Sequence, residues 1–461
     1  MFAPPTSRWG RVASRPFVGE YLVNQRYLPL ACACLLALAV AAGLLGACGQ
    51  EAPYPVAGLT DTPSLSGQLT LPGPTSLPGE PPPQARPPLT LTLWTSEAFS
   101  PTQEVAQGQI LSSQVASLPD LRFRFLLKQP YGQAGVQRYL LSTGAVVPDL
   151  LPDLAYVDVD EVDEIVYAGL AQPLDSLLSP ELVDRLYAFA QEACTFEGRL
   201  YCLQIAADLD HLVYNSFRLT RAPASWTAVF SESVPYVFPA GGEGGLVNDA
   251  FLVQYEAVRP RPEGTPSDAS FLDEPSVVAV LQFYRDGASL GLFPQAIRQF
   301  HTTDDTWQAY RSGLAAMAQV SARRYLAERS QVVFAMPAPV PSIAGPAAPI
   351  SRGWALVLIT PDPARQAAAA RFMEIWLSPD VNAYWNQAAG TLPTLQASLT
   401  YWDPSDAYTA FLHEQLLAAR PRPSVPGYSQ VSAALQRAVE AVLTGEKTPE
   451  EAAAEVMSGA P

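Results

Sequence analysis

Three histidines, five cysteines and 44 carboxylates are the groups in this 461-residue chain that invite a search for chemistry. The histidines, His211, His301 and His413, lie far apart in sequence. They are a thin supply for a Ser–His–Asp triad or a zinc site. The stretch "GASLG" at 287–291 fits G-x-S-x-G, with Ser289 in the nucleophile's place. That motif works on a strand, a sharp turn and a helix. Here it follows the helical "SVVAVLQFYRD", so Gly287 reads as a helix end. "DVDEVDE" (158–164) lacks the D-x-[DN]-x-[DN]-G spacing of a calcium loop. "GGEGG" lacks the Gly-Lys-Ser/Thr ending of a phosphate loop, and "TGEKT" has its lysine in the wrong context. No metal or cofactor is expected. A carboxylate pair for glycoside hydrolysis stays open, because separation in space decides that chemistry.

The carboxylates gain meaning from their places. Asp158 and Asp160 stand at the end of "PDLAYVDVDEV" (152–162), which reads as a strand running into a helix. Ligands of open α/β sheets sit beyond the carboxyl ends of parallel strands. An aspartate there also suits a helix N-cap. Asp208 interrupts the apolar run "LQIAADLDHLVYN", where a carboxylate is costly unless partnered. It is the residue most strongly expected to face a ligand, against the alternative of an exposed position. Trp94 closes "LTLTLWTS", with Ser96 and Glu97 next to it, and Trp354 sits in "GWALVLIT". Each tryptophan is a ring for stacking or a piece of core.

The elements that must hold these residues follow from periodicity. "LTLTLWTS" (89–96) and "LRFRFLLKQ" (121–129) alternate as strands. A helix opened by Ser100-Pro101, with Gln103 completing a capping box, separates them. A helix around 134–143 and the strand at 152–162 complete a βαβαβ order, which implies a parallel sheet. Two strand-like pieces follow in 199–215, then helices over 270–290 and 302–313. Strands are expected at 314–320, 332–337 and 353–360, then a helix and two C-terminal amphipathic helices. Cys194 and Cys202 bracket "TFEGRLY", a hairpin turning at Glu197-Gly198. That arrangement predicts a disulfide in an oxidising compartment.

The N-terminus differs in kind. Residues 1–27 hold four arginines, and 28–47 are uncharged and apolar, the pattern of an export signal or of an uncleaved anchor. Residues 51–88 carry eleven prolines and no apolar period, so they read as a tether reaching roughly 35 Å as a flexible chain. The net charge is −16 overall. Beyond residue 47 it is −19, from 24 basic and 43 acidic residues. That balance argues against a nucleic-acid partner.

Two resemblances join these parts. "LGAC" (45–48) resembles the bacterial lipoprotein box, which implies a signal peptide over 1–47 and lipidation of Cys48. The body resembles the extracellular solute-binding lipoproteins of ABC importers that take sugars. The matching segments, in order, are "PDLAYVDVDEVDEIVYAGLAQPLD", "FEGRLYCLQIAADLDHLVYNSFRL", "SWTAVF", "YRSGLAAMAQV", "GWALVLIT" and "GTLPTLQAS". The resemblance implies an α/β fold of the type II periplasmic-binding-protein kind, two lobes joined by crossing strands. The lobes are expected over 89–206 with 342–388, and 207–341 with 389–461. The tether would occupy 48–88. Solute would lie between the lobes, held by Trp94, Ser96, Glu97, Asp158, Asp160, Asp208, Arg323 and Trp354. Arg323 stands where the family often has a stacking tryptophan, so a carboxylated sugar is open beside a neutral one. The implied partners are a permease and an ATPase on separate chains and a membrane reached by lipid. The protein is expected to be extracytoplasmic, monomeric and not an enzyme. A carbohydrate-cleaving enzyme and a non-transport scaffold or sensor are the competing readings.

Overall fold

The computed structural model describes residues 87–96, 104–260, 271–424 and 427–459. All belong to one unit, Pro83–Pro461. The leader, Cys48, nearly all of the tether, Glu97 and the capping box at Ser100 lie outside the described residues.

The strands, in chain order, are β1 (Leu89–Ser96), β2 (Leu121–Lys128), β3 (Leu154–Asp158), β4 (Thr195–Phe196), β5 (Arg199–Leu200), β6 (Cys202–Asn215), β7 (Tyr236–Val237), β8 (Met317–Ser321), β9 (Ala335–Ala338), β10 (Ile350–Leu358) and β11 (Arg420–Pro421). β1 pairs in parallel with β2 on one side and β3 on the other. The helices Glu104–Ala116 and Val136–Val146 make the crossovers. This is the βαβαβ unit that the alternating patterns predict. β3 is buried through its first four residues, as a strand covered on both faces must be.

β6 carries the architecture. Its first twelve residues are buried. From Cys202 to Leu209 it pairs antiparallel with β10. From Asp210 onward it pairs with β8 and then β9. The two strand-like pieces expected over 199–215 are β5 and β6, and β6 alone serves two half-sheets. The half with β2, β1, β3 and β10 lies on one side of the partner change, and the half with β8 and β7 on the other. This gives the two-lobed α/β fold.

β10 is wedged between β3 and β6, with Trp354 opposite Asp158 on one flank and Ala206 on the other. The register slips between Trp354 and Ala355. Gly353, at φ +151°, allows this bulge, because a Cβ there would come 2.0 Å from the Ala206 carbonyl oxygen.

In the second half an aromatic cluster fills the core. Trp226 stacks on Phe283 at 4.5 Å, and Phe238, Tyr284 and Phe293 pack beside them. The helix Glu274–Ser289 runs past Gly287, which corrects the helix end expected there. The missing Cβ of Gly287 makes room for the Phe293 ring, and the chain turns out at Gly291, φ +71°. Ser289 is therefore the last residue of a helix, not a nucleophile on a strand-to-helix turn. Cys194 and Cys202 flank the β4–β5 hairpin and are joined by a disulfide. Glu197 and Gly198, at φ 50° and 75°, form the turn. Among the described residues no helix is long and apolar enough to cross a membrane.

Candidate functional site

The partner change on β6 gathers charge. Asp208 and Asp210 are two apart on one strand and so share a face. Arg352 on β10 lies opposite Asp208 in register. Its guanidinium reaches Asp210 Oδ1 at 2.6 Å, Asp249 Oδ2 at 3.0 Å and Asp208 Oδ2 at 3.5 Å. Asp249 opens the helix Asp249–Val258. It also accepts from Arg422, Nη2 at 2.7 Å and Nε at 3.0 Å. Arg422 then reaches Asp160 Oδ2 at 2.6 Å. Asp208, Asp210 and Asp249 are each under 10% exposed, so these pairs replace much of the lost water.

Asp158 and Asp160 divide the two roles expected of them. Asp158 is the cap, its Oδ1 accepting from the Asp160 N–H at 3.0 Å. Its Oδ2 accepts from the Tyr131 hydroxyl at 2.9 Å. Asp160 is left to engage Arg422. Asp208 Oδ1 accepts the backbone N–H groups of Leu209 and Arg323, at 3.0 and 3.1 Å. The Arg323 guanidinium lies 5.6 Å from the centre of the Trp354 ring. Trp354 is thus flanked by Arg323 and, through the β3 register, by Asp158.

Burial dominates the electrostatics. It pushes Asp208 and Asp210 above the usual carboxylate range, against the pull of Arg352. It pushes Asp158 up, opposed by the N–H of Asp160 and the Tyr131 hydroxyl. It pushes Asp160 up to about 7, with Arg422 pulling down and Asp158 pushing further up. Asp249 goes the other way: burial raises it, and two arginines together hold it below the usual range.

The structure therefore brings Asp158, Asp160, Asp208, Arg323 and Trp354 to one place, where β3, β10 and β6 meet the start of the helix Ala322–Glu328. Trp94 has different surroundings. It is 5% exposed, edge-on to Tyr139, with Lys128 Nζ 4.4 Å above its ring. Ser96 is fully buried. Sequence reasoning did not single out Tyr131, Asp210, Asp249, Arg352 or Arg422. Asp210 was within reach, two residues after Asp208 in the same apolar run. Among the described residues there is no cluster of metal-ligating groups.

Carboxylates, guanidinium groups and an indole are groups that can engage a polar solute, through edge hydrogen bonds and a face contact. Comparisons agree with such a scaffold. The sequence matches the family described as bacterial extracellular solute-binding protein over residues 134–411. A maltotriose-binding protein of Pyrococcus abyssi is 25% identical over 95 residues, 21% of each chain. The match thus spans about a fifth of that relative's length. The cyclic α-maltosyl-1,6-maltose binding protein of Arthrobacter globiformis aligns with a TM-score of 0.67 at 20% identity, over 81% of this chain and 98% of its own. An extracellular solute-binding protein of Staphylococcus aureus, solved with maltose, aligns at 0.64 and 16% identity, over 81% and 96%. At these identities the structural likeness establishes the two-lobed fold. The family match extends over more than half of the sequence and includes Asp158, Asp160, Asp208, Arg323 and Trp354, and so this chain belongs to the bacterial extracellular solute-binding proteins.

Proposed function

We propose that this protein is the solute-capturing subunit of an ABC importer and that its solute is a mono- or oligosaccharide. The observation that carries the reading is the cluster at the β6 partner change, where Asp208, Asp158 and Trp354 converge from three neighbouring strands. Carboxylates accept from sugar hydroxyls, and an indole covers the apolar C–H face of a ring. The relatives named for maltotriose, maltose and a cyclic maltosyl sugar point to the same solute class. The lobes take the bounds 89–206 with 342–388 and 207–341 with 389–461, and solute binding closes one on the other. The closed form would be recognised by a permease and an ATPase carried on other chains. The chain binds and releases its sugar unchanged.

The leader and Cys48 place this capture at a membrane. The signal peptide over 1–47 is removed, Cys48 is lipidated, and the proline-rich stretch gives the body reach. Growth with a labelled fatty acid should label the parent, and Cys48→Ala should lose the label. Label retained in the variant would overturn the anchor.

A thermal-shift panel tests the solute class, because a ligand that binds only the folded state raises the melting temperature. The panel holds maltooligosaccharides, uronates, polyols, amino acids and polyamines. A rise with a sugar, and recovery of that sugar intact, supports the reading. A rise with amino acids or polyamines alone overturns the solute class.

A further inference from the structure

The end of β6 farthest from the partner change has an unusual surface. Asn215 closes the strand there, about 17 Å beyond Asp210 at the usual rise of a strand. Three segments meet at this end. The Asn215 N–H bonds the Ala316 carbonyl, on the approach to β8, at 2.9 Å. The Ser216 N–H bonds the Phe334 carbonyl, on the approach to β9, also at 2.9 Å. Phe217 then lies against the Phe334 ring, 6.0 Å between centres, and is 82% exposed. Val333 is 78% exposed, and Leu314 and Met336 on the neighbouring segments are exposed too. Large apolar side chains left in water together mark a contact surface. The charge of these segments is as unusual. Beyond residue 47 the chain has 24 basic and 43 acidic residues. Yet 211–231, 306–327 and 329–361 hold no aspartate or glutamate and seven arginines. Arg218 and Arg221 are exposed just after Phe217, and among the described residues neither has a carboxylate partner. Arg311, one turn before Leu314, shares the carboxylate of Glu328 with Arg324.

We propose that this end, with Phe217 and Val333 at its tip, is the face by which the body rests on an anionic lipid bilayer. An anionic surface attracts Arg218 and Arg221, and the apolar tips enter the headgroup layer. The rest of the body is strongly acidic and is repelled, so the molecule stands on this end. A permease that recognises closure has to read both halves, whereas this surface belongs to the second half alone. Pairing of two copies through the same patch would bring four unpaired arginines together. The complementary partner is therefore an acidic surface that also admits apolar side chains. The docked pose rests on the importer reading only through Cys48, which brings the body to a bilayer. The fatty-acid label tests that anchor separately, so the two fail independently.

Hydroxyl-radical footprinting of the full chain with excess vesicles tests the proposal. Vesicles of phosphatidylcholine are compared with vesicles of phosphatidylcholine and phosphatidylglycerol. Oxidation of Phe217 and Met336 should fall several-fold on the anionic vesicles. It should recover in high salt, which screens the arginines. Tyr167 and Tyr384, exposed on the first half, should be oxidised equally throughout. Joint replacement Arg218→Gln and Arg221→Gln should lower the ratio of docked to free protein roughly tenfold or more and restore oxidation of Phe217. Phe217→Ser should restore oxidation of Met336. These side chains are exposed, so the variants keep the core intact. Three results overturn the proposal: oxidation of Phe217 unchanged by anionic vesicles, equal protection on both compositions, or protection that grows with protein concentration in the absence of lipid.

Discussion

Asp208 was the strongest candidate in the sequence and Trp94 an even one between ligand and core, and the fold gives them different surroundings. A carboxylate inside an apolar strand has to be partnered, so Asp208 betrayed itself by its surroundings. A tryptophan at a strand end carries no such mark, since its indole suits a core as well as a cleft. Trp94 lies under Lys128, which the neighbouring parallel strand β2 supplies. Trp354 lies under Arg323 instead. Truncating Trp94 should therefore cost stability, about 3–5 kcal/mol, and leave the solute affinity of the folded fraction near that of the parent. Truncating Trp354 should do the reverse and weaken sugar binding roughly tenfold or more. Chemical denaturation and calorimetric titration of both variants check the pair. Arg422 was not legible, because nothing in "RPRP" says that two distant aspartates converge on it.

Among the elements, β6 shows what periodicity can and cannot give. Its strand character was plain, and the change of pairing partner along it was not. Gln204, Asp208, Asp210 and His211 interrupt its apolar run, and all four are buried within the one strand. His211 shows how such a residue is kept. Its Nδ1–H donates to the Leu212 carbonyl at 2.9 Å, so Nε2 accepts from the Tyr408 hydroxyl at 2.8 Å. Tyr325 and Phe411 close over the ring. Burial pushes this imidazole down to about 4, with the Leu212 carbonyl pulling the other way. The unfolded chain takes up the proton near the ordinary histidine value of 6.5, and the folded one resists until about 4. The unfolded state thus binds more protons in that window, and stability must fall as pH falls through it. The expected loss at this one group is as much as about 3 kcal/mol. Buried carboxylates with raised values, Asp160 among them, act in the opposite direction over the same interval, so the His211 contribution is read by denaturant unfolding at pH 6.5 and pH 4 as the difference between the parent and a variant. His211→Gln should lose less stability than the parent, or gain more, between pH 6.5 and pH 4. Equal slopes would mean that the ring is not held neutral.

For the whole molecule, the βαβαβ order, the long apolar strand and the C-terminal helices were enough to name an α/β fold. Those are patterns in one dimension, set by the periods 2 and 3.6. The site was legible only where a single residue broke such a pattern. The rest of it is assembled by topology: Arg352 comes to Asp208 because β10 returns antiparallel beside β6, about 140 residues later. The same return brings Asp158, Trp354 and Asp208 together on neighbouring strands, and the central claim is that a sugar is held there. The measurement that tests it most directly is isothermal titration of the folded protein with maltotriose, beside the Asp208→Ala variant. The account predicts saturable one-to-one binding to the parent, weakened by about 10- to 100-fold in the variant, the size of a lost hydrogen bond to a charged group. Binding that survives Asp208→Ala undiminished, or no heat with maltotriose when an amino acid or polyamine binds, would contradict it.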